Sequence, residues 1–357
     1  MSDEQKSHAR PAPLLRTIHV GVGNRGQWPL RFAVPAAGFQ PVALVDTHPS
    51  VLAQAGRDHP GIPAFAELEA ALAAVEADAA IICSPTQFHT TQGKMCLAAG
   101  LHILVEKGLA PTLDAARETV AAAAAAGRAL CVAQNYRYQS MERTVARLIN
   151  DPSHPCYIGE PFLIEYTQHR QRPHPRTLNY PFASVWDMSC HHFDNLLSWL
   201  GGGFATITAK TFGPPWSRYQ HPNNTSLQLA HRSGCMVHYL HTHDAAINEI
   251  RIRIQGRLGA AVVDDTSVRT CRRGDLQLQQ EPLVSVTPEE HLGEAGVLAD
   301  FYRHAVRDEP VGISGSENLN AMALCDATCR SSVSGKTVSI AAFDCGEKAM
   351  PASIPTK

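Results

Sequence analysis

The chain has 357 residues, of which 44% are hydrophobic and 18% are charged, and its formal net charge is −2. This length suits two domains with real cores, and the composition excludes a disordered chain. The near-neutral balance excludes a whole-chain attraction to nucleic acid or anionic lipid, so we expect neither as a partner.

The N-terminal residues 1–13 are polar and contain proline, without the apolar segment of a signal peptide. They are expected to form a disordered leader. No run approaches the roughly 18 apolar residues that a membrane span needs. None of the ten cysteines belongs to a C-x-x-C pair. In a chain without a signal peptide, this pattern indicates reduced thiols and a cytoplasmic protein.

A glycine-rich turn follows the first predicted strand. The sequence GVGNRG at residues 21–26 has the pattern G-x-G-x-x-G, and a helical pattern comes directly after it. Glycines at these places let the backbone turn and approach a pyrophosphate at a helix N-terminus. The predicted cofactor contacts of the turn are Gly21, Gly23, Asn24, Arg25 and Gly26. A tight turn without cofactor relevance is the alternative.

A second buried strand, QPVALV, ends at Asp46, where a dinucleotide site carries an acid. A carboxylate there accepts hydrogen bonds from the ribose 2′-hydroxyl and repels a 2′-phosphate. Asp46 therefore favours NAD over NADP as the cofactor.

Strands and helices continue to alternate after Asp46. This alternation predicts a parallel sheet with helices on both faces, a Rossmann dinucleotide-binding domain over residues 14–134. Ligand-binding groups of such sheets lie at the C-terminal ends of the strands. The cofactor-binding candidates at these ends are Ser84, Pro85, Thr86, His89, Glu106 and Lys107. Tyr136 and Arg137 follow the last strand and are substrate-binding candidates at the domain junction.

The second half has a different pattern. Segments such as EIRIRIQG alternate with period two, which predicts a C-terminal α/β domain with an open, mostly antiparallel sheet over residues 135–345 and a tail over 346–357. In HYLHTHD, His241 and His243 share one strand face. We interpret that face as a polar sheet surface, available for an interface, and expect no metal there.

A basic stretch precedes the next helical segment and contains His169, Arg170, Arg172, His174 and Arg176. Arginine forks suit a carboxylate or a phosphate. A solvated basic loop is an equally good interpretation.

The segment WDMSCHHFD, residues 186–194, concentrates acids and histidines on a predicted helix. Asp187, His191 and Asp194 are spaced i, i+4, i+7 and project from one face within roughly 60° of arc, whereas His192 points elsewhere. A capping aspartate and a histidine satisfied by a nearby acid are the alternative. A zinc site needs a further partner that is not evident, so we predict no metal.

These motifs together resemble the Gfo/Idh/MocA oxidoreductases, the group of glucose–fructose oxidoreductase and inositol dehydrogenase. The matching segments are GVGNRG, Asp46, CSPTQFH, AAGLHILVEK, NYRY, DMSCHHFDNLLSWLG and ENLNAMALCDATCRSSVSGKTV. The resemblance implies a nucleotide-binding domain and an α/β domain whose open mixed sheet often mediates dimers or tetramers. By matching position it also implies a catalytic group of Lys107, Asp187 and His191.

Two departures from the family pattern affect the site. Gly108 follows Lys107 where the family normally has proline, and glycine leaves the lysine less rigidly aimed or gives the loop another path. The segment PFASVW stands where the family often has a run of glycines, so we expect a reshaped substrate pocket.

The expected activity is NAD-dependent hydride transfer at a carbinol or carbonyl carbon of a sugar, cyclitol or sugar derivative. His191, with a pKa near neutrality, suits the acid/base role, while Lys107 hydrogen-bonds the reacting oxygen and Asp187 orients the site. The substrate-binding candidates are Lys107, Tyr136, Arg137, Asp187 and His191. The alternatives are a redox-neutral lyase or glycosidase-type enzyme that recycles NAD, and a non-catalytic NAD-bound sensor.

Overall fold

The structure, a computed structural model, describes residues 13–172, 179–285 and 293–340. The predicted leader, apart from residue 13, and the predicted tail lie outside these ranges, as do His174 and Arg176 of the basic stretch. Within the described ranges, no helix combines the length and hydrophobicity needed to span a membrane.

Six parallel strands form the first sheet: β1 (Leu15–Val20), β2 (Phe39–Val45), β3 (Ala64–Phe65), β4 (Ala79–Ile82), β5 (His102–Val105) and β6 (Leu130–Val132). Their order is β3-β2-β1-β4-β5-β6. The strand order reverses between β1 and β4, and the crevice beyond such a reversal is where these sheets bind ligands. The predicted Rossmann sheet is confirmed.

Helices connect these strands: α1 (Gln27–Phe32), α2 (Pro49–Asp58), α3 (Leu68–Ala74), α4 (Thr86–Ala98) and α5 (Leu113–Ala126), with a 3-10 helix at Pro35–Ala37. Every residue of β4 is buried, as expected for a parallel strand covered on both faces. The Ala-rich helix α5 is capped by the Thr112 hydroxyl and ends at Gly127, whose φ is 61°.

Nine strands form the second sheet: β7 (Pro161–Gln171), β8 (Phe204–Phe212), β9 (Asn224–His231), β10 (Met236–Thr242), β11 (Asp244–Gly256), β12 (Gly259–Asp264), β13 (Val268–Arg272), β14 (Gln279–Glu281) and β15 (Val338–Ser339). Their order is β14-β13-β12-β11-β7-β10-β9-β8-β15. Neighbours are antiparallel except for β7 and β10, which are parallel. The predicted mostly antiparallel sheet is confirmed. Self-association through it stays a prediction.

The remaining helices are a 3-10 helix at Asn135–Tyr138, α6 (Ser140–Asn150), a π-helix at Val185–Ser189, α7 (Cys190–Leu200), α8 (Glu294–Arg307) and α9 (Gly315–Ser334). Helices α6, α7 and α9 contribute to one apolar core with the second sheet. Helix α8 returns to the first sheet, where Phe301 stacks on Phe39 with ring centroids 6.2 Å apart. The C-terminal helices therefore tie the two sheets together, with α7 between them and close to the residues that follow β6.

Candidate active site

The glycine-rich turn between β1 and α1 needs two of its glycines for its own shape. Gly21 has φ 79°, and a Cβ atom there would lie 2.5 Å from the backbone nitrogen of Ser84. A Cβ atom on Gly26 would lie 1.9 Å from the carbonyl oxygen of Gly21. Gly23 differs, because the nearest atom to its Cβ position is Val51 Cγ1 at 3.9 Å. The turn is tightly closed at Gly21 and Gly26, whereas the Cβ position of Gly23 is not crowded.

Asp46 lies beside this turn, directly after β2. Its Oδ2 accepts a hydrogen bond from the backbone N–H of Val22 at 3.0 Å, and its Oδ1 accepts one from the N–H of His48 at 2.9 Å. These bonds fix the carboxylate against the turn. Asn24, another predicted contact, is exposed within the turn.

Arg25 and Glu106, both predicted to bind the cofactor, bind each other. The Arg25 guanidinium donates to Glu106, lies 3.4 Å from Glu294 Oε1, and sits 5.5 Å above the ring of Trp28. Glu106 is buried and also accepts from the Trp28 indole at 3.3 Å and from the backbone N–H of Lys107 at 2.9 Å. Glu106 thus braces the glycine turn against the loop that carries Lys107.

His89 connects two strand ends from its buried position on α4. Its Nε2 lies 2.7 Å from the carbonyl oxygen of Ser84 and its Nδ1 lies 2.8 Å from that of Gly108. Pro85 precedes α4, and Thr86 is its first residue. The Lys107–Gly108 peptide bond is cis. The contact of His89 with the Gly108 carbonyl restrains the loop that carries Lys107. The sequence predicted a looser loop and did not reveal this contact.

Lys107 reaches across from the first domain to Asp187 of the second. Its Nζ donates to the backbone carbonyl of Asp187 at 2.6 Å and to Oδ1 at 2.9 Å. Arg172 Nη1 donates to Oδ2 of the same carboxylate at 2.7 Å. Burial favours a higher pKa for Asp187, but Lys107 and Arg172 outweigh it and hold that pKa well below its usual value. The carboxylate is therefore ionised and bridges two cations.

His191 stacks on Tyr136, with ring centroids 4.4 Å apart and an interplanar angle of 9°. Its Nδ1 is buried without a hydrogen-bond partner among the described residues. Burial, and then the charge of Lys107, holds the pKa of His191 well below its usual value. The expected pKa near neutrality is therefore wrong, and the imidazole is neutral, the form that accepts a proton.

The prediction that Asp187, His191 and Asp194 lie on one α-helix is wrong for Asp187, because residues 185–189 form a π-helix, whereas His191 and Asp194 lie on α7. The two acids also face different partners. Asp194 forms a bidentate pair with Arg137, with Nε to Oδ2 at 2.8 Å and Nη2 to Oδ1 at 2.6 Å. Both acids are held by cations, and Arg137, a predicted substrate contact, has its fork occupied by Asp194.

Three buried histidines line the sheet side of α7. His192 Nδ1 lies 2.7 Å from the Tyr239 hydroxyl, and its ring centroid is 5.3 Å from that of His241, which is 4.7 Å from that of His243. The interface interpretation is wrong for His241 and His243, since both are buried beneath the helix. Tyr239 shares their strand parity, and that shared parity was the available signal for a buried face.

One group in the described part of the chain has metal-ligand composition: the ligand atoms of His154, Cys156 and Glu281 lie within 4.8 Å of one another. His154 Nδ1 accepts from the backbone N–H of Cys156 at 3.1 Å, and its Nε2 lies 3.3 Å from Glu281. A metal-bound histidine donates from its second nitrogen. Here Nδ1 faces the N–H of Cys156 and so carries no hydrogen of its own. The ring hydrogen is then on Nε2, and the geometry suits an N–H contact from Nε2 to the Glu281 carboxylate.

The comparisons with known proteins agree with this architecture. Residues 15–134 match the model of an oxidoreductase family with an NAD-binding Rossmann fold. The protein is thus an NAD-binding oxidoreductase. Residues 15–134 are thus similar to the nucleotide-binding domain of the Gfo/Idh/MocA oxidoreductases.

Individual relatives are distant. An uncharacterized protein, y4oX, from Sinorhizobium fredii is 24% identical over 354 residues, 92% of this chain and 96% of the relative. Inositol 2-dehydrogenase from Pseudomonas syringae pv. syringae is 26% identical over 274 residues, 74% of this chain and 77% of the relative. The crystal structure of an oxidoreductase from Agrobacterium radiobacter in complex with NAD+, L-tartaric acid and magnesium aligns with a TM-score of 0.82. The alignment covers 91% of this chain and 98% of the Agrobacterium chain, at 20% identity, and so shows a shared fold.

Proposed function

We propose that this protein catalyses NAD-dependent hydride transfer between nicotinamide and a carbinol or carbonyl carbon of a sugar, cyclitol or sugar derivative. The contact of Lys107 with Asp187 beside the neutral imidazole of His191 carries the proposal. It joins a cation from the nucleotide-binding domain to an acid and a base from the other domain.

The proposed cofactor is NAD, held by residues of the first domain. The open backbone at Gly23 accommodates the pyrophosphate, and the Asp46 carboxylate accepts hydrogen bonds from the ribose. A 2′-phosphate would meet the charge of Asp46, which supports NAD over NADP. Bound nicotinamide supplies the hydride acceptor or donor.

Lys107 is proposed to polarise the reacting oxygen. An ammonium group has three donors, and two of them bind Asp187. The third is left for a substrate hydroxyl, whose developing negative charge it stabilises as the proton leaves. Asp187 keeps Lys107 protonated, because its attraction overcomes the effect of burial and holds the pKa of the lysine above its usual value.

His191 is proposed as the base. Its depressed pKa keeps the imidazole neutral, so it can take the hydroxyl proton during oxidation and return it during reduction. The stacked ring of Tyr136 fixes the plane of the imidazole. The catalytic roles thus fall on Lys107, Asp187 and His191.

The test replaces His191 with alanine and follows NADH absorbance across a panel of polyols, cyclitols, sugars and sugar acids. We expect kcat to fall by about two to four orders of magnitude. NAD affinity, titrated separately, should stay near normal, and His238→Ala on the exposed side of β10 is the matched control. Full turnover by the His191 variant would contradict the assigned role.

A further inference from the structure

The charges on the second-domain side of Lys107 are unbalanced. Lys107, Arg170 and Arg172 are three cations, and their acidic partner among the described side chains is Asp187 alone, which leaves a surplus of two positive charges. Arg170 instead donates to the Tyr136 hydroxyl at 3.4 Å. The nearby acid Glu106 is bound to Arg25. Arg170 and Arg172 are half-buried, and a group of like charges at such a site attracts an anion.

The buried histidines report the same positive potential. Burial and then Arg170 lower the pKa of His192 to about 3. Burial and then Arg172 lower the pKa of His243 to about 3. Each imidazole is kept neutral partly by a cation of this group. The histidines therefore add no charge of their own, and the potential beside α7 is set by the arginines and Lys107.

Arg172 has donors to spare. Its Nη1 binds Asp187 Oδ2, the one hydrogen bond that its side chain makes within the described ranges, and about a third of the side chain, 32%, is exposed. A guanidinium carries five N–H donors in a planar fork that matches a carboxylate through two parallel bonds. The edge of the fork formed by Nε and Nη2 is available to a ligand.

The contacts of Asp187 show how far apart the charged groups of Lys107 and Arg172 lie. One carboxylate spans the gap between Lys107 Nζ, 2.9 Å from Oδ1, and Arg172 Nη1, 2.7 Å from Oδ2. A substrate oxygen held by Lys107 therefore lies only a few bonds from a group that Arg172 could hold. The two cations fit one small molecule that carries a reacting hydroxyl and a nearby anionic group.

We propose that the substrate carries a carboxylate close to the reacting carbon, as in a polyhydroxy acid of the aldonic or uronic type, and that Arg172 recognises that carboxylate. The proposal rests on the proposed function and narrows its substrate class. Arg172 acts here as a specificity-determining residue, while the proton and hydride steps remain with the groups assigned above.

The experiment compares related compounds with and without an anionic group: sugar acids, their methyl esters, the parent neutral sugars, and sugar phosphates as a second anion. NADH formation gives kcat and KM for each. We expect the acids to be the best substrates, and Arg172→Gln to raise their KM by about 10- to 100-fold, the range for loss of charged hydrogen bonds. The ester kinetics should change far less.

Two further variants sharpen the result. Arg172→Lys keeps the charge but loses the fork, so its KM for the acids should lie between those of the parent protein and Arg172→Gln. Arg253→Gln, on the exposed face of β11, removes an equal charge from the same sheet and should leave every constant unchanged. An equal KM for acids in the Arg172→Lys variant and the parent would contradict recognition by the fork.

Binding is measured in parallel as a shift in melting temperature with NAD present. Three results would overturn the carboxylate proposal and leave the hydride-transfer proposal standing. Esters or neutral sugars could react as well as acids, or phosphates could react better. The Arg172→Gln defect could also be equal for acids and esters. Acids that raise the melting temperature without NADH formation would do the reverse. If there is no turnover and the acids do not shift the melting temperature, both proposals are overturned.

Discussion

The buried pair of Arg137 and Asp194 gives a stability prediction that can be worked from its geometry. Two hydrogen bonds, at 2.8 and 2.6 Å, join the 3-10 helix after β6 to α7, and the two side chains are 15% and 3% exposed. Burial alone would lower the pKa of Arg137, but the attraction of Asp194 raises it above the usual value. Asp194→Ala leaves this guanidinium buried without its carboxylate, and an arginine in a protein does not escape the cost by losing its proton.

Breaking such a pair from one side costs about 3–5 kcal/mol of unfolding free energy. Removing both charges with Arg137→Met and Asp194→Leu should cost far less, because apolar replacements of buried ion pairs are often neutral or stabilising. The assay is urea unfolding followed by tryptophan fluorescence, since Trp199 lies on α7. The parent protein, Arg137→Met, Asp194→Leu and the variant with both changes form a double-mutant cycle that isolates the interaction energy.

A loss below about 1 kcal/mol for Asp194→Ala, the value of an exposed pair, would refute a strong buried ion pair here. A double variant as unstable as the sum of the single variants would refute it equally. Activity gives a second readout. Arg137 is adjacent to Tyr136, which stacks on His191, so Asp194→Ala should also lower kcat.

Three further predictions concern other parts of the protein. The pKa of His192 falls from 6.5 to about 3 on folding, so the unfolded chain binds more protons below pH 6.5 and stability falls as pH falls through that interval. His192→Gln should flatten the pH dependence of unfolding free energy by about 1.4 kcal/mol per pH unit, and exposed His238→Gln should not. Asp46→Ala should weaken NAD binding by about 10- to 100-fold and narrow the ratio of kcat/KM for NAD over NADP; an unchanged ratio would disprove the role of this carboxylate. Gly26→Ala places a Cβ atom 1.9 Å from the Gly21 carbonyl and should abolish NAD binding in titrations, while retained affinity would show that the turn can shift.

Sequence patterns predicted the parts of the site that depend on nearby residues. The glycine spacing, the strand before it and Asp46 lie within one strand–helix–strand unit, so their proximity follows from local geometry. Lys107 was expected near the cofactor because parallel strands end at one edge of a sheet. Chain order and periodicity contain this information.

The partners of Asp187 and Asp194 could not be predicted from periodicity, and only the family resemblance grouped Lys107 with Asp187. Asp187 meets Lys107 across 80 residues, and Asp194 meets Arg137 across 57. Such pairings depend on how the two sheets pack, which periodicity does not encode. The π-helix at Val185–Ser189 also shifts Asp187 from the position that α-helical spacing assigns. Neither interpretation of the basic stretch predicted the hydrogen bond from Arg172 to Asp187.

The central claim is net hydride transfer to NAD, and the absorbance of NADH during turnover tests it most directly. With a reactive hydroxy compound, we expect NADH to accumulate in step with the carbonyl product, and the accumulation to disappear in the His191→Ala protein. Substrate consumption at constant NADH absorbance would instead indicate redox-neutral chemistry that recycles NAD. Tight NAD binding with no turnover across the whole panel would contradict catalysis altogether.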